Sequence, residues 1–304
     1  VNLRRVLGSV FSVAVVVFAG IKLGAQWNEV RDALAQAVPN WTMLGISCVL
    51  VLAVYALLIT TWQIVLRGWG SRIAFWDAAR IWTVSNLGKY IPGKVWALSA
   101  MAVMSEAKGV SPVVAAGAAV LITLINTVIG FVVVAATGVG VIQLSPYARA
   151  GIVALGLFIV SIPPFLPGLA SFAGRLIGRE ISLPRLRPSA ILVAAACTAL
   201  AWYGYGIAFQ FFVIGVLGYS MGATSGYVAI FAGSYLIGFV ALFAPGGLGV
   251  REVVMADGLK RAGYAIGPAY LVVVASRLWL TLLEIVPALL FVGHGWLVAR
   301  RAPK

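Results

Sequence analysis

Along most of this chain, apolar residues do not alternate with polar ones. They run on for about twenty positions and stop at clusters of Trp, Arg and Pro. A helix needs about 20 such residues to cross a bilayer. The pattern therefore predicts helical spans over residues 6–23, 41–66, 113–142, 151–169, 190–217, 227–243 and 266–298. Trp41, Trp62 and Trp69 lie near the ends of the second run, where indole rings favour the membrane interface. Residues 26–38 form a shorter amphipathic stretch of mixed charge (Glu29, Arg31, Asp32), closed by Pro39.

Two segments break this pattern. One lies within residues 72–108 and contains Asn86-Leu-Gly-Lys-Tyr-Ile-Pro-Gly-Lys-Val-Trp96; the other runs from Phe243 through Pro245, Gly246, Gly247, Gly249, Arg251 and Glu252. Pro92 removes a helical donor and Gly93 loosens the backbone, so two half-helices are expected to meet between Tyr90 and Lys94. Pro245 and the glycines after it predict a second break. Irregular backbone at membrane depth survives only where protein buries it or it lines a polar cavity. Broken helices in corresponding positions of two halves point to a transport site. After each break come a Gly-to-Pro stretch (Gly109 to Pro112, Gly263 to Pro268) and a long apolar run. That is a weak internal repeat, with halves of about 41–142 and 227–298. The copies read as either parallel or inverted.

Composition makes the membrane reading firm. Of 304 residues, 62% are hydrophobic and 10% charged, against about a quarter charged in soluble domains. The net charge of +14 sits mainly in short loops beside apolar runs, where Arg and Lys set orientation and meet anionic headgroups. No nucleic-acid motif accompanies it. Arg4, Arg5, the Arg67/Arg72/Arg80 group and Arg175, Arg179, Arg185 and Arg187 are all expected inside, as are Arg300 and Arg301. Seven runs are an odd number, so termini on one side require a broken segment to cross or one run to hold two helices. The first run reads as an uncleaved helix. Two cysteines and one histidine exclude a zinc cluster, and no cofactor is expected.

Ionisable groups at membrane depth cost roughly 2.5–3.5 kcal/mol each on insertion scales, so their first reading is functional. Asn86, Lys89 and Tyr90 share one helical face, and Lys94 follows the turn; together they are candidates to hold a phosphate. A helix starting after Gly249 would aim backbone amides at an anion, with Arg251 and Glu252 beside it. Arg277 and Glu284, seven residues apart in the last run, need partners elsewhere. Glu252 or a lipid phosphate suits Arg277; Lys89, Lys94 or Arg251 suits Glu284. Pro92, Gly93, Pro245, Gly246, Gly247 and Gly249 are the expected hinges. With only eight acidic residues, no catalytic constellation is recognisable, and no enzyme activity is expected.

Asn86, Gly88, Lys89, Tyr90, Pro92, Gly93 and Lys94, with Pro245, Gly246, Gly247, Gly249, Arg251, Glu252 and Arg277, resemble the signatures of the lysylphosphatidylglycerol synthase transmembrane family. This is the flippase-like half of multiple-peptide-resistance factors. The resemblance implies one all-α polytopic helical membrane bundle over 1–304, of about seven to eight spans, with two re-entrant segments around a cavity. It also implies handling of anionic or modified lipids. The soluble lysine-transferring domain of bifunctional members is not expected in these residues. The expected function is translocation of a phosphate-bearing lipid across a bacterial inner membrane. The alternative is a membrane-embedded enzyme, or accessory subunit, acting on lipid-linked sugars or aminoacylated lipids. Expected partners are membrane lipids, and either further copies of the chain or a lipid-modifying enzyme.

Overall fold

Residues 27–90, 95–138, 145–160, 187–241 and 249–301, with 168, 171, 172 and 175, are described by a computed structural model. Among them every regular element is helical. The order is α1 (Trp27–Gln36), α2 (Trp41–Gly68), α3 (Phe75–Asn86), a 3-10 turn (Leu87–Tyr90), α4 (Val95–Glu106), α5 (Pro112–Thr137), α6 (Pro146–Val160), α7 (Pro188–Leu217), α8 (Thr224–Val240), α9 (Val250–Arg261) and α10 (Ile266–Arg301). Four are long and apolar enough to cross a membrane: α2, α5, α7 and the Ile266–His294 part of α10. Val49, Leu200, Leu278 and Leu290 stand exposed on them, as side chains facing lipid do. Hydroxyls along these spans bond back to their own helix, as Thr60 and Thr61 do to the Ala56 and Leu57 carbonyls at 2.8 Å. Thr123 does the same, donating to Ala119 at 2.8 Å. The first expected span, 6–23, lies outside the described residues.

The chain divides into two units, one made from the described parts of Tyr55–Ile129, Ala154–Ala201 and Thr281–Lys304. Its core joins Trp62 and Leu66 of α2, Ile81 of α3, Leu121 of α5 and Ala194 of α7, all buried. Ala115 and Ala118 of α5 are fully buried, because in lipid helices associate through close packing of small residues. Within this unit α3 and α4 pack against each other as a hairpin. A Cβ on Gly88 would stand 2.6 Å from the Ala97 amide nitrogen, so only glycine lets the returning chain pass. The α-helix ends at Asn86 and tightens into the 3-10 turn before the break read from Pro92. At the other end of the hairpin, Lys108 Nζ lies 2.7 Å from Asp77 Oδ1.

The second unit takes the described parts of Val1–Val54, Gly130–Val153 and Trp202–Leu280. Asn40 opens α2, its side-chain oxygen accepting the Met43 amide at 3.2 Å, the usual way an N-cap satisfies an orphan donor. Here α8 and α9 form the hairpin, packed through buried Phe231, Leu236, Met255 and Leu259. Its base is tied by hydroxyls. Tyr227 and Tyr264 lie 2.5 Å apart, and both accept the Met221 amide, at 2.7 and 2.9 Å. Gly204 and Gly206, in the Tyr-Gly-Tyr-Gly run, face Val54 and Val228 in close packing. Glu29 and Asp32 lie on helix α1.

The two hairpins end alike. After α4, the Val110 amide bonds to the Ser105 carbonyl and the Gly109 amide to Glu106; after α9, Tyr264 bonds to Leu259 and Gly263 to Lys260. Both glycines have positive φ, 76° and 103°. This is the paired bonding of a Schellman stop. A long apolar helix follows each.

Candidate functional site: two hairpin ends that meet the last helix

Lys89 lies in the 3-10 turn, whose three-residue repeat sets position 89 over Asn86. Its Nζ is 2.5 Å from Glu284 Oε1 of α10, and both side chains are partly buried. Of the three partners that suit Glu284, the structure brings up Lys89. Three residues on, Pro287 lies inside α10, where it cannot donate to the Leu283 carbonyl. The helix is therefore locally weakened beside its acidic residue. Asn86 is half-buried at the end of α3, and Tyr90 closes the turn. Pro92, Gly93 and Lys94 lie outside the described residues.

In the other unit α9 begins just after Gly249, whose φ of 86° is left-handed. Glu252 holds this helix start from within. Its Oε2 accepts the Gly249 amide at 2.7 Å, and its Oε1 accepts from Arg277 Nε of α10. The amide expected to meet an external anion is thus bonded to the helix's own carboxylate. The same carboxylate is also the partner of Arg277. Arg251 is buried, with its guanidinium carbon 5.5 Å from the Phe231 ring centre and 5.3 Å from that of Tyr235. These rings stand four residues apart on α8, hence on one face. Cation–π contact of this kind contributes about 0.5–2 kcal/mol and more as water is excluded. Pro245, Gly246 and Gly247 lie outside the described residues.

Sequence reasoning missed Phe231, Tyr235, Pro287 and the Tyr227–Tyr264 pair. The aromatic i, i+4 spacing just before the second break, and a proline three residues after an acid in an apolar run, were the available signals. Tyr264, in the turn before α10, has its pKa raised well above the usual tyrosine range, first by burial and then by its bond to Tyr227.

Each hairpin thus offers one charged group that pairs with the opposite charge on α10: Lys89 with Glu284, and Glu252 with Arg277. Residues 5–288 match the family model described as lysylphosphatidylglycerol synthase TM region. The chain belongs to this family. No curated protein matches it. Membership, together with four membrane-spanning candidates, makes the chain an integral membrane protein linked to lipid modification or translocation.

Proposed function

We propose that the chain is a flippase-like translocator of a phosphate-bearing lipid or modified phospholipid in a bacterial inner membrane. The observation that carries this reading is that α10 supplies one member of an ion pair to each broken hairpin: Glu284 to Lys89, and Arg277 to Glu252. With no lipid bound, these pairs balance cations that would be costly at membrane depth. At each hairpin end a headgroup phosphate competes with the carboxylate for the paired cation, Lys89 in one unit and Arg277 in the other, and takes further charge from Lys94 or Arg251 respectively. Asn86 and Tyr90 add donors. Glu252 and Glu284, once released, supply the repulsion that lets the phosphate leave. Transport needs no bond chemistry, and none is assigned to the chain.

The finer architecture belongs to the same proposal. α3, α4 and α9 have 12 residues each, about 18 Å of helix, against a hydrocarbon core of about 30 Å. That length suits re-entrant segments within a single domain of about seven to eight spans. In both units a Pro-Gly pair of the sequence is followed by a 12-residue helix, a Schellman stop and a long apolar helix, in that order. This order supports repeat halves at about 41–142 and 227–298. Pro92, Gly93, Pro245, Gly246, Gly247 and Gly249 are then the hinges, and both termini face the cytoplasm with the basic loops.

Native mass spectrometry of gently extracted protein tests the binding step. Wild type should retain one class of phosphate-bearing lipid, and Lys94→Ala and Arg251→Ala should lose it. Equal, unselective lipid in all three would overturn these assignments.

A further inference from the structure

Outside the two hairpin ends, three exposed arginines border two open clefts of the first unit. One cleft, of about 550 Å³, is bordered by Arg67, Arg72, Ile73 and Ala74. The other, also about 550 Å³, shares Arg67 and adds Gly70, Arg187 and Ser189. Such volumes are in the range of small-ligand sites. Among the described residues no carboxylate borders either cleft, and neither Lys89 nor Glu284 does. None of the four ion pairs among the described residues uses these arginines.

The positive-inside rule accounts for cations in loops; it does not require them to border two clefts that share Arg67. Here the supporting chain is fixed. The Ser71 amide bonds to the Leu66 carbonyl and Gly70 to Arg67, closing α2. Buried Gln63 then donates from Nε2 to the Ile73 carbonyl at 2.8 Å, holding the turn that carries Arg72. Across the second cleft, α7 starts at Pro188. The positive end of its dipole adds to the charge of Arg187. Because α2 ends and α7 begins here, and both are candidate spans, the clefts lie at a membrane surface.

We infer that Arg67, Arg72 and Arg187 form a second anion site, for a phosphate group at the membrane surface. The phosphate belongs either to a lipid headgroup or to a soluble phosphate. Arginine suits it because its planar fork bonds phosphate through two parallel donors.

Titration calorimetry of the full chain in a neutral detergent tests this, with dihexanoylphosphatidylglycerol and inorganic phosphate as probes. Arg67→Gln/Arg72→Gln/Arg187→Gln should remove one binding event. Each arginine contributes about tenfold in affinity, the usual weight of a charge-assisted bond. Arg80→Gln, an exposed arginine that borders neither cleft, should leave binding unchanged. The triple Arg→Lys variant keeps the charge, loses the fork, and should bind at least about tenfold more weakly. Binding of the lipid probe alone assigns the site to a headgroup; equal binding of inorganic phosphate assigns it to a soluble ligand. No event lost in the triple Gln variant, or the same loss in Arg80→Gln, would overturn the inference. Any lipid binding left in the triple variant belongs to the hairpin ends, so the two proposals fail separately.

Discussion

Glu252 shows how one side chain can serve folding and chemistry together. One carboxylate oxygen closes the start of α9 on the Gly249 amide, while the other holds Arg277. Any ligand that draws Arg277 away leaves the cap intact, so the site can change partners without losing its helix. Gly249 is needed for this, since its φ of 86° is strained for any residue with a Cβ. Gly249→Ala should cost about 1–2 kcal/mol and lower the melting temperature in detergent; an unchanged melting temperature would contradict the assigned backbone. At the other hairpin, a double-mutant cycle on Lys89→Met and Glu284→Gln should return a coupling of about 1–3 kcal/mol, the usual size for contacting, partly buried charges. A coupling near zero would mean that the two side chains do not meet.

At the scale of elements, four of the seven expected spans, α2, α5, α7 and α10, were legible in the sequence because they follow from run length. The hairpin partners were not. Nothing in the string says that Gly88 lies against Ala97, or that Asp77 pairs with Lys108, since both contacts arise only when the chain doubles back. The same limit left three partners open for Glu284. The α9 amides were misread for a different reason: the capping role of Glu252, three residues after Gly249, was visible but was weighed only as charge.

The two hairpin bases are not held equally. Asp77 and Lys108 are substantially exposed, and such pairs are worth about 0–1 kcal/mol, so this pair adds little to the packing of the hairpin. The Tyr227–Tyr264 base is buried and fully bonded. Tyr264→Phe should destabilise the protein by about 1–2 kcal/mol. Because Tyr264 has a raised pKa in the folded state, the unfolded chain releases this proton first as pH rises. The stabilisation is complete below about pH 10, the ordinary tyrosine value, and is lost progressively above it. Thermal melts across that window should show a steeper alkaline loss for wild type than for Tyr264→Phe; parallel curves would contradict the buried hydroxyl pair.

For the whole molecule, α10 enters both units, giving Arg277 to one and Glu284 to the other. Pro287 gives that helix a weak point one turn beyond Glu284. Alternating exposure of a site requires two states of comparable free energy, with the lipid favouring one. In the proposed translocator, exchange of carboxylate for phosphate at these pairs would supply such a difference.

The most direct test is translocation of a fluorescent phospholipid in proteoliposomes, followed by chemical quenching of the outer leaflet. Wild type should move the lipid well above the protein-free rate. Lys94→Ala and Arg251→Ala, reconstituted to the same level and melting as wild type does, should fall to that background. Wild-type rates in both variants, or background rates in wild type across phosphate-bearing headgroups, would contradict a translocator built on the two broken hairpins.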